Sequence, residues 1–107
     1  MPRLFRCVAL ALWLPAVASA QEPQDLKRGE TLLTRNCAGC HAVGRTDAST
    51  HASAPAFRTL GRKYKIETLE EALGEGLMSG HPDMPEFKFE PPDIGAIIAY
   101  LKSIQQP

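Results

Sequence analysis

Two cysteines stand three positions apart with a histidine directly after them, in the run Cys37-Ala38-Gly39-Cys40-His41. Nothing else in the chain limits its fold as tightly. On a helical turn, residues i and i+3 project from one face, so the two thiols reach the same object. The imidazole next in sequence can turn toward it. Cys-x-x-Cys-His is the attachment pattern of a c-type haem. Thioether bonds from both thiols to the vinyl groups on one porphyrin edge, with His41 on the iron, account for all three side chains. Ala38 and Gly39 are small enough to let the backbone lie close to the ring. Three rivals account for less. A thioredoxin-like redox pair needs a preceding strand, and no strand pattern leads into Cys37. A structural zinc site needs four ligands, and no second cysteine pair exists. A plain disulfide leaves His41 unexplained.

The chain's first twenty residues follow the grammar of a secretory signal peptide. Arg3 and Arg6 are basic, Cys7 to Leu14 is apolar, and Ala18-Ser19-Ala20 is a small-residue cleavage site. The apolar stretch is too short to span a bilayer as a helix, although an uncleaved anchor remains the competing reading. Cys7 precedes the apolar core, which argues against a lipoprotein. The expected organisation is a signal peptide at 1–20 and one domain at 21–107, exported across the inner membrane to the periplasm without stable membrane insertion after cleavage. The leader removes two of the twelve basic residues, none of the twelve acidic ones and the only tryptophan. The slightly acidic remainder gives no sign of nucleic-acid binding. A domain this small builds a marginal core alone, so the cofactor is expected to be part of that core.

Hydrophobic spacing predicts helices and no strands. Asp25 reads as an N-cap for a helix over 26–36. A loop rich in Gly, Ser, Thr and Ala runs from Ala42 to Ala56, and a short helical turn is expected within 57–64. Thr68 with Glu71 has the spacing of a capping box for a helix over 69–77. Residues 79–92 are irregular. Ile94, Ile97, Ile98, Leu101 and Ile104 form one apolar stripe at helical spacing, over 93–105. Pro91 and Pro92 suit the start of that helix. The class is all-α with long connecting loops.

With these residues in view, the chain resembles the small class I c-type cytochromes of the bacterial periplasm from Asp25 to Gln105. The resemblance implies an N-terminal helix with Gly29 and Leu33 before the haem motif. A C-terminal helix with Tyr100 near its end would cross it. It also implies that the Pro55 carbonyl, in Ala54-Pro55-Ala56-Phe57, accepts the ring N–H of His41. Such a bond fixes the imidazole and strengthens it as an iron donor. The chain departs from the family pattern in its long segment between His41 and Pro55.

Met78, Met84, His51 and His81 are candidates for the second axial position. Met84 is followed by Pro85 on a loop before the last helix, and the resemblance implies this setting for the distal ligand; a histidine–methionine pair is the usual carrier arrangement. His81 would give a bis-histidine site. Met78 reads as core packing and His51 as a solvated loop residue. Arg58, Arg62, Lys63 and Lys65 crowd into eight residues. Such a run is commonly a solvated face; otherwise Arg58, Arg62 or Tyr64 could contact a haem propionate, or the run could steer an acidic partner. The expected protein is an electron carrier, a monomer with a single haem c and redox protein partners, and not an enzyme. A peroxidase-like haem enzyme or a haem-based sensor, each with a vacant or labile distal position, is the alternative.

Overall fold

Gly29 decides how the two longest helices meet. A Cβ on this residue would lie 2.1 Å from the Ala96 carbonyl oxygen and 2.8 Å from Tyr100 Cβ, so only a glycine lets the backbones come this close. The computed structural model describes Trp13 and residues 21–107. The expected leader and its cleavage site otherwise lie outside the described residues. Helix α1 spans Gln21–Cys37 and α3 spans Pro91–Ile104. Their mutual contact is the most extensive between any two elements. Arg28 of α1 and Asp93 of α3 form an ion pair beside it.

The stripe on α3 faces the core, with Ile94, Ile97, Leu101 and Ile104 all buried. Leu33 of α1, Phe57, Ile66 and Leu73 complete that core. Tyr100 is buried with them, and its hydroxyl donates to the Val43 carbonyl at 2.8 Å. Pro91 and Pro92 occupy the first two positions of α3, where a missing N–H leaves no helical bond unmade. Helix α2, Leu69–Glu75, lies between the long helices in sequence and packs on α3. Two 3-10 turns, Phe57–Arg62 and Ile66–Thr68, precede it. Among the described residues the extended structure is one isolated antiparallel bridge, Leu77 with Phe87.

Several local expectations are corrected. Asp25 sits inside α1 rather than capping it, because the helix begins at Gln21 with Pro23 in its first turn. Thr68 forms no capping bond. Its backbone is already helical, and its hydroxyl donates to the Lys65 carbonyl at 2.6 Å. Helix α2 stops at Glu75, two residues early, because Gly76 takes a φ of 123° that a side-chain-bearing residue rarely adopts. Met78 is consequently carried out of the core and is 75% exposed. Tyr64, read as a possible propionate contact, is 53% exposed, which leaves that reading open.

The 42–56 loop has no regular structure, yet its own polar residues close it. Asp47 accepts the amides of Val43 and Gly44 through its two carboxylate oxygens at 3.1 and 2.9 Å. Ser49 Oγ accepts the Ala42 amide, and Thr50 Oγ1 donates to the Gly39 carbonyl. The Phe57 amide donates back to the Ala42 carbonyl at 3.0 Å, so the ends of the loop lie side by side.

Candidate haem site

The last turn of α1 delivers the Cys-x-x-Cys-His run. The amides of Cys40 and His41 both donate to the Cys37 carbonyl, at 3.2 and 2.9 Å, extending the helical turn through the motif. Cys37 and Cys40 are free thiols, each partly buried. Both line a cleft holding about 720 Å³ of space, its open mouth included. His41 lines the same cleft, and so do Pro55, Met84, Pro85 and Phe87. Burial pushes the Cys37 thiol up to about 11. A nucleophilic cysteine depends on a lowered value, so burial disfavours Cys37 as an attacking thiol.

His41 is held from two sides. Its Nδ1 lies 2.8 Å from the Pro55 carbonyl oxygen, which accepts the ring N–H. Nε2 is thereby left as the unprotonated donor nitrogen. The Phe57 ring stacks on the imidazole with centroids 4.7 Å apart. Phe57 is itself fixed by core burial and by its amide bond to Ala42.

Met84 reaches the cleft from the segment between Gly76 and Glu90. The Leu77–Phe87 bridge closes the base of this segment, with the Leu77 amide 2.7 Å from the Phe87 carbonyl. Toward its tip the backbone is folded by short-range bonds. Ser79 Oγ accepts the His81 amide, His81 Nδ1 accepts the Asp83 amide, and the His81 carbonyl accepts the Met84 amide. Met84 is half-buried while its neighbours Asp83 and Pro85 are exposed. The donor set fits a c-type haem: paired free thiols, an oriented imidazole and a thioether share one apolar cleft.

The Cytochrome c family model matches residues 26–105. The chain belongs to the cytochrome c family. It is 31% identical over 100 residues to cytochrome c-552 of Bradyrhizobium diazoefficiens, an alignment covering 94% of each chain. It is also 34% identical over 106 residues to cytochrome c oxidase subunit 2 of Alkalihalophilus pseudofirmus. That alignment takes in 82% of this chain and 29% of the longer protein. No solved structure is matched significantly. The helical architecture is that of the all-α class I cytochrome c fold, and the family carries a covalently bound haem c with its iron. Electron transport is the role of such a protein, with redox proteins as its partners. Among the described residues no helix is long and apolar enough to cross a membrane.

The cytochrome's basic run is not brought to the cleft. Arg58 instead donates to the Asp47 carbonyl at 2.7 Å and lies 3.7 Å from the Asp47 carboxylate, so the 42–56 loop takes its guanidinium. Arg62 reaches the Pro107 carbonyl. Arg62, Lys63, Tyr64 and Lys65 line a separate open groove with Glu67 and Lys102. Arg58, Arg62 and Tyr64, named as possible propionate contacts, do not line the cleft. His51 is corrected in the other direction. Read as solvated, it lines the haem cleft with His81 and Asp83, an arrangement that local pattern gave no means of finding.

Proposed function

We propose that this cytochrome is a periplasmic one-electron carrier, monomeric after loss of a leader at 1–20, whose domain occupies 21–107. In this reading Cys37 and Cys40 would hold the haem through two thioether bonds, and His41 and Met84 would ligate its iron. The observation that supports it best is the common cleft: both thiols, the Nε2-free imidazole and the Met84 thioether line one space. When bound, haem c supplies a reversible ferric/ferrous couple. The protein's residues do the rest. Pro55 and Phe57 keep the imidazole in one orientation through the electron cycle. Phe87 and Pro85 give the cleft an apolar wall beside Met84. The Met84 sulfur favours the ferrous state more than a second histidine would, which raises the potential. With His41 and Met84 both on the iron, no position would be left for oxygen or peroxide, as a carrier that transforms no substrate requires.

Absorption spectra of the matured holoprotein test this reading. A c-type reduced spectrum with the weak long-wavelength ferric band of a methionine ligand is expected, and Met84→Ala should abolish that band. A high-spin ferric spectrum with rapid carbon monoxide binding at neutral pH would mean an open iron, and would favour a peroxidase-like enzyme or a sensor.

A further inference from the structure

Two loops meet at the mouth of the haem cleft, and their meeting point is a histidine. His51, in the loop after the haem motif, and Asp83, the residue before Met84, are 32 positions apart. His51 Nε2 lies 3.2 Å from Asp83 Oδ2. The His51 and His81 rings also meet edge to face, with centroids 5.5 Å apart. We propose that His51 is a positioning residue: it clasps the tip of the Met84 segment and so holds the Met84 thioether in place for the iron.

Three observations carry the proposal. The first is that His51 is anchored on its own side. Its amide donates to the Cys40 carbonyl at 3.2 Å, which ties its backbone to the cysteine that holds the haem edge. The second is that its ring is preset. The Ser53 amide donates to His51 Nδ1 at 3.1 Å, so the proton of the neutral ring sits on Nε2 and points at Asp83. The clasp thus needs no positive charge on the imidazole. The third is the character of the Met84 segment. The bridge at Leu77 and Phe87 secures its base, while the bonds within Ser79–Met84 are local. Local bonds shape a loop without attaching it to anything else. Residues 78–83 are all exposed, the composition of a segment that opens locally before the rest of the fold. His51 ties the tip of this segment to the haem-motif side of the cleft.

The clasp rests on Met84 as the distal ligand, and the experiment separates the two ideas. Ferric holoprotein is mixed with imidazole, and displacement of Met84 is followed through loss of the methionine band. One hydrogen bond of this kind should slow opening roughly three- to tenfold. His51→Ala and Asp83→Ala should each accelerate displacement by that factor. The double variant should be no faster than either single one, and His51→Gln, which keeps a donor, should return toward the parental rate. Unchanged rates, or effects that multiply in the double variant, overturn the clasp while leaving Met84 as ligand. If the parental protein lacks the band, the Met84 reading fails instead. The clasp is then judged by amide hydrogen exchange at Asp83 and Met84 in the holoprotein. Faster exchange in His51→Ala than in the parent supports it, and equal exchange overturns it.

Discussion

The two walls of the haem cleft are built on different plans. On the histidine side, His41 follows directly from α1, and the 42–56 loop is stitched to itself and to the motif by Asp47, Ser49 and Thr50. Ala42 and Val43, the first residues of that loop, are buried, and Tyr100 of α3 donates to the Val43 carbonyl. On the methionine side, Met84 rides a segment whose bonds are mostly to its own neighbours and whose tip is exposed. His41 is thus fixed by the body of the fold, whereas Met84 depends on the base of its segment, held by the Leu77–Phe87 bridge and by the Phe89 amide on the Leu73 carbonyl, and on whatever meets its tip. The contrast suits an electron carrier, in which neither ligand should change between oxidation states. Under the proposed ligation by His41 and Met84 it also predicts where change begins: ligand exchange and local opening belong to the methionine side.

The largest effect should come from removing what both walls face. In the double variant Cys37→Ala/Cys40→Ala the cofactor is no longer covalently held, and a domain of this size has little core to replace it. The haem-free chain should be largely disordered, with a poorly dispersed NMR spectrum. A well-dispersed spectrum for residues 26–57 with collapse confined to 76–90 would sharpen the comparison, since it would show the histidine wall standing alone. Full dispersion throughout would break it.

A smaller and more selective effect is expected at Asp47. Its carboxylate accepts two amides, and its backbone carbonyl accepts from Arg58. Asp47→Ala leaves those two amides without their partner, for which about 1–2 kcal/mol of stability is expected to be lost. Denaturant unfolding measures that loss. The methionine band and the imidazole displacement rate should stay near parental, the reverse of what is expected for His51→Ala. If Asp47→Ala disturbs Met84 as strongly as His51→Ala does, the two walls are one mechanical unit and the contrast fails.

The same contrast explains what could be read from sequence. The Cys-x-x-Cys-His run and the α3 stripe were legible because helical periodicity is local, and Pro91-Pro92 marked the start of α3 for an equally local reason. Pro55 was legible only through family resemblance. Other positions were not legible, and three of them show why, each decided by a distant or conformational partner. Arg58 is drawn away from the cleft by Asp47, eleven residues earlier. Met78 is exposed because the backbone turns at Gly76, and a spacing pattern does not report a positive φ. His51 meets Asp83 only once two irregular loops have been folded over the cleft. Loop-borne residues at the cleft's mouth are where tertiary contact overrides local pattern.

The smallest effect is expected away from both walls, at the pair of Lys102 and Glu67, where Lys102 Nζ lies 2.8 Å from the Glu67 carboxylate. The hydrogen bond from Lys102 holds the Glu67 carboxyl below its ordinary value of 4.5, and its own backbone and the charge of Lys102 add to this. A carboxyl lowered on folding contributes stability that is fully present above its unfolded value. That contribution is lost as the pH falls from about 4.5 through the lowered value. Both side chains are more than half exposed, so water and salt screen the interaction and the contribution is close to the limit of measurement. Lys102→Met should therefore leave neutral-pH stability nearly unchanged and slightly flatten its decline as the pH falls below 4.5. The variant should leave the methionine band and the imidazole displacement rate at parental values, because neither residue lines the haem cleft. A change in either would mean that the groove around Lys102 is coupled to the Met84 segment through α3, and the methionine wall would then depend on the body of the fold as the histidine wall does.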